Sequence, residues 1–95
     1  MSELAINYDR KYDILYVDIP SAEPKYGEAG DNGIVTFLGL ETDNVLGFFV
    51  ENFKDKLSKH QLDSRELPIQ MNIYDPVITS LVFGDGSKYK ATLTA

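Results

Sequence analysis

The chain has 95 residues, 43% of them hydrophobic and 25% charged, a composition that fits one small globular domain and excludes wholesale disorder. It has no cysteine, which excludes a disulfide framework, a thiolate metal site and a cysteine nucleophile. Fifteen acids against nine bases give a net charge of −6, which argues against nucleic acid, because phosphate binding needs concentrated Lys and Arg.

The one basic cluster, Lys54, Lys56, Lys59 and His60, is diluted by Asp55 and Asp63. The acidity is too mild to argue DNA mimicry and is accounted for by solubility. Met1-Ser2-Glu3 lacks the basic start of a signal peptide. No stretch approaches the ~20 apolar residues of a membrane span. The expected compartment is the cytoplasm, with neither membrane nor nucleic acid as partner.

Leu4-Ala5-Ile6-Asn7-Tyr8 alternates apolar and polar residues and predicts a strand. Asp9-Arg10-Lys11-Tyr12 reads as a hairpin turn that Asp9 starts. Ile14 to Ile19 is β-branched and aromatic, a second strand ended by Pro20. Residues 20–32, punctuated by Pro20, Pro24, Gly27, Gly30 and Asp31-Asn32-Gly33, predict a loop. Loops of about a dozen residues are often functional.

Gly33 to Leu38 predicts a third strand, Glu41 to Asn44 a turn that tolerates positive φ, and Val45 to Val50 a fourth strand. Gly47 inside that strand signals a bulge or a close backbone approach. Asn52 or Asp55 then caps a short helix carrying Phe53, Leu57, His60 and Gln61 at helical spacing. Ile69 to Ile73 alternates like a strand.

Val77 to Phe83 carries two readings. Its β-branching favours a strand, whereas Asp75 as N-cap, Pro76 at N1 and Gly84 beyond the end would frame a short helix. The strand is preferred, because Gly84-Asp85-Gly86-Ser87 follows as a hairpin signal and Lys88 to Leu93 alternates. The expected fold class is therefore α+β: an antiparallel β-meander of about four strands, one short helix, then further C-terminal strands including a hairpin. The chain forms a single domain over 1–95.

Both faces of this sheet are partly apolar. The second strand has Leu15, Val17 and Ile19 on one face and Ile14, Tyr16 and Asp18 on the other. The fourth has Leu46, Phe48 and Val50 on one face and Val45 and Phe49 on the other. A sheet with one wet face alternates more cleanly. One helix covers one face, so the second needs the C-terminal third, a curled sheet or another chain. If another chain covers it, the expected interface residues are Tyr16, Phe37 and Phe49.

Groups that could carry chemistry are scattered. Asp9, Asp13 and Asp18 lie in or beside the first hairpin, and Asp31, Glu41, Asp43 and Glu51 around the second. No segment has calcium-loop spacing, and His60, the one histidine, has no zinc-spaced partner. There is no Gly-x-Ser-x-Gly elbow, and Gly84-Asp85-Gly86 lacks the rest of a phosphate loop.

Tyr8-Asp9-Arg10-Lys11-Tyr12-Asp13-Ile14-Leu15-Tyr16-Val17 resembles the opening Y-D-x-x-x-D-x-L-Y-[IV] of a family of small bacterial and archaeal proteins, catalogued as a domain of unknown function. Gly33-Ile34-Val35 and Glu41 to Val50 resemble its later strands, with Phe49 where the family usually has an acid. The resemblance covers roughly the first half of the chain, which makes 1–65 the family-like part and 66–95 an extension. It implies a β-meander followed by a helix, and no activity or catalytic residue.

The sequence thus points to a non-catalytic module that binds itself, as a homodimer, or another protein. It assigns no catalytic residue, cofactor or metal ligand. The alternative is a small-ligand or divalent-metal binder or enzyme using Asp9, Asp13, Asp18, Glu28 and Asp31 around the 20–32 loop.

Overall fold

The computed structural model describes residues 3–30, 32–84 and 90–94. Six strands form one antiparallel sheet: β1 (Glu3–Asp9), β2 (Ile14–Asp18), β3 (Lys25–Ala29), β4 (Ile34–Gly39), β5 (Val45–Glu51) and β6 (Lys90–Thr94). Their order across the sheet is β3-β4-β5-β2-β1-β6. Among the described residues, two helices, α1 (Phe53–Ser58) and α2 (Pro76–Phe83), and a 3-10 turn at Ser64–Glu66 complete the elements. The fold is α+β, and the first four expected strands form as β1, β2, β4 and β5.

Three segments differ from expectation. Residues 20–32 are not all loop: Lys25–Ala29 forms edge strand β3, every residue of it exposed. Its pairing with β4 runs through the backbone, so no buried alternation marks it in the sequence. Ile69 to Ile73 is irregular rather than a strand. Val77 to Phe83 is helix α2. There the Asp75 side chain accepts from the Val77 N–H at 2.9 Å and Pro76 opens the first turn, so end signals outweigh β-branching. With 77–83 helical, the C-terminal strand pairs instead with β1, in register from Glu3↔Thr94 to Asn7↔Lys90. Asp85 to Ser87 of the expected hairpin turn lie outside the described residues.

Strand alternation decides which side chains enter the core. Leu4, Ile6 and Tyr8 of β1, Leu15 and Val17 of β2, Ile34 of β4, and Phe48 and Val50 of β5 are buried on one face. Over them pack Phe53 and Leu57 of α1, Leu62, Leu67 and Ile73 of the connecting segment, and Ile78, Leu81 and Val82 of α2. The C-terminal third does fold back on the sheet, but onto the face that α1 already covers.

Three polar contacts lock this layer to the strands. Asp9 Oδ1 accepts from the N–H groups of Lys11 and Tyr12 at 2.9 and 3.2 Å and shapes the β1–β2 turn. Asp13, with φ of 56°, aims its carboxylate back into the molecule. Its Oδ1 accepts from the Tyr8 hydroxyl at 2.5 Å and from the Lys54 N–H at 2.8 Å, and its carbonyl accepts from the Phe53 N–H at 3.1 Å. The start of α1 is thus capped by a residue forty positions earlier, while the Asn52 side chain makes no cap bond. At the other end of the layer, the Arg10 guanidinium donates to the carbonyls of Leu81 and Gly84 at the C-terminus of α2.

Candidate interaction surface

The same alternation sends a second set of side chains to the opposite face. The register aligns Gly27, Phe37, Gly47, Asp18, Ala5 and Thr92 in one row across the sheet. The next row is Ala29, Val35, Phe49, Tyr16, Asn7 and Lys90. Ile14 and Glu51 stand opposite each other beyond it. None of these residues belongs to the buried core cluster.

The three expected interface residues come together here. The Phe49 ring lies 5.7 Å from the Tyr16 ring and 5.7 Å from the Phe37 ring, both at 46°. Tilted pairs at this separation are favourable. Phe37 stands between Gly27 and Gly47 on the flanking strands. A Cβ at Gly27 would come within 3.2 Å of Val35 and 3.5 Å of Phe37. A Cβ at Gly47 would strike the Val17 carbonyl at 2.5 Å, so Gly27 makes room for Phe37 and Val35 and Gly47 permits the close approach of β2. The register shift after Phe37 makes a bulge in β5 at Leu46. Gly47 therefore marks both features that a glycine inside a strand signals.

Lys25 closes the β3 side of the cluster. Its Nζ lies 4.8 Å from the Phe37 centroid and donates to Asp18 Oδ1 at 2.9 Å. The pair is exposed enough that its contribution is modest. Tyr16, Phe37, Phe49, Ile14 and Val35 are half-buried within the single chain, whereas Ala5, Asn7 and Thr92 are exposed. The face therefore has an aromatic half over β2, β5 and β4 and a low half over β1 and β6. A groove of about 550 Å³ lies at the β1–β6 pair, lined by Ala5, Ile6, Asn7, Lys90, Ala91 and Thr92.

Sequence alternation points to Tyr16, Phe37 and Phe49. It misses Val35, which the same reading of β4 puts beside Phe37, and it misses Lys25, hidden in a segment read as loop. The low half depends on the β1–β6 pairing, which no local signal carries.

The acids expected near the 20–32 loop do not converge. Asp9 and Asp13 hold the first turn and α1, Asp18 pairs with Lys25, and Glu28 lies on edge strand β3. Asp31 lies outside the described residues. Among the described residues no group of three or more His, Asp or Glu could hold a metal ion. Glu23 is likewise occupied: its carboxylate accepts from the N–H groups of Glu41 and Thr42, each at 2.9 Å, and fastens the β4–β5 turn. His60 stacks on Tyr74 at 5.6 Å. Among the described residues no helix is long and apolar enough to cross a membrane.

No family model, curated protein or solved structure matches the chain.

Proposed function

We propose that this protein is a non-catalytic interaction module whose docking surface is the open face of its sheet, centred on Tyr16, Phe37 and Phe49. One observation carries the reading. Both helices and the segment between them pack on a single face, and the opposite face keeps five large apolar side chains in one contiguous group. Contiguous apolar patches on small chains mark interaction sites, and aromatic residues dominate the centres of interfaces. Asp9, Asp13, Glu23 and Asp18 are occupied by turns, the start of α1 and an ion pair.

The test is site-specific photo-crosslinking in cells. A crosslinking residue replaces Phe37 on the open face or, as a control, Val77, which is exposed on α2. The reading predicts a discrete crosslinked product from position 37 and none from position 77. No product from position 37, or the same product from both, would contradict it.

A further inference from the structure

We propose that the occupant of the open face is a second copy of this chain, packed face to face across a twofold axis that runs along the strands. This rests on the reading of that face as a docking surface and names its partner.

Three features favour a copy over another ligand. The first is size. Six strands at about 4.8 Å spacing and about 20 Å in length present roughly 600 Å² per copy in flat projection, or about 1,200 Å² over two. That reaches the lower bound of stable protein interfaces before side-chain relief is added. A small molecule or a single peptide strand would leave most of the face wet. A second sheet of the same twist covers it in the aligned packing of sandwiches.

The second feature is relief. A twofold along the strands, placed between β5 and β2, sets β5 over the partner's β2, β4 over its β1 and β3 over its β6. Phe49 then meets the partner's Tyr16, and the reverse contact repeats it, as an isologous interface requires. Phe37, the aromatic of the neighbouring row, stands over the partner's Ala5. The aromatic half of each copy thus enters the low half of the other.

The third feature is charge. The chain carries −6, yet the charges nearest the centre of this face, Lys25 and Asp18, neutralise each other. At the margins Lys90 offsets part of the charge of Glu3 and Glu51. A nucleic acid would find no basic field here, and a strongly basic peptide no concentrated acid.

The experiment is light scattering of the full chain over a concentration series. It is run for the wild type and for Ala5→Arg and Thr92→Arg, which put a bulky charge in the exposed low half without touching the core. The wild type is expected at twice the chain mass in the micromolar range. Each variant is expected to weaken association at least tenfold while keeping the wild-type circular dichroism. A chain mass at every concentration overturns the second copy as occupant. If position 37 still crosslinks to a different protein, the docking-surface reading stands alone; if it crosslinks to nothing, both fall. A doubled mass that neither variant weakens places the contact elsewhere and also overturns the proposal.

Discussion

Tyr8 is a buried phenol whose hydroxyl donates to Asp13. Burial first, then the hydrogen bond and the negative charge of Asp13, hold its pKa above the ordinary tyrosine range. The sign of the consequence follows. Below about pH 10 the folded and unfolded chains both keep this proton. Above it the unfolded chain releases the proton and the folded chain does not. Stability is therefore lost as pH rises, by about 1.4 kcal/mol per pH unit from this group. Urea unfolding of the wild type should show a stability that falls from about pH 10 upward. Tyr8→Phe should cost about 1 kcal/mol at neutral pH and show a shallower alkaline fall. Parallel alkaline limbs for the two proteins would remove Tyr8 as the cause. The sequence placed Tyr8 on the face of Leu4 and Ile6 and Asp13 beside the turn. Their hydrogen bond was not legible, because it depends on the positive φ of Asp13 that turns its carboxylate inward.

Helix α1 is short, and isolated helices of that length do not persist in water. It is fastened by the β1–β2 turn, through Asp13 to the N–H groups of Phe53 and Lys54, and by the burial of Phe53 and Leu57. Asp13→Ala removes the side-chain acceptor and puts a disfavoured residue at a left-handed position. The expected loss is about 2–3 kcal/mol, measured by urea unfolding. Asp13→Asn keeps a carbonyl oxygen and tolerates that backbone, and should lose less than about 1 kcal/mol. Equal losses would mean that the cap contributes nothing. Elements were legible where local pattern and burial agree, as in β1, where every second residue is buried. The α2 segment carried both signals. Helix won because Ile78, Leu81 and Val82 then fall on one face that seals the core. Strand β3 carried no signal, because an edge strand with both faces exposed leaves no hydrophobic period.

At the scale of the molecule, the core is one-sided. The sequence showed that both sheet faces are partly apolar and left open whether the C-terminal third or another chain covers the second. The fold places that third over the first face, because α2 and the 62–73 segment bring Leu62, Leu67, Ile73, Ile78 and Leu81 to the strand residues already facing α1. The candidate surface was legible through its aromatics and not through its low half, since Ala5 and Thr92 become neighbours only when β6 pairs with β1. Phe48 and Phe49 are adjacent in sequence and point to opposite faces, so they separate core from open surface within one dipeptide. The deciding measurement is urea unfolding of Phe48→Ala and Phe49→Ala in dilute solution, where association adds little to stability. Phe48→Ala should lose about 3–5 kcal/mol, as a fully buried ring does. Phe49→Ala should lose no more than about 1–2 kcal/mol, the worth of its contacts with Tyr16 and Phe37. Equal losses would show that the second face is a core in its own right and contradict the open docking surface.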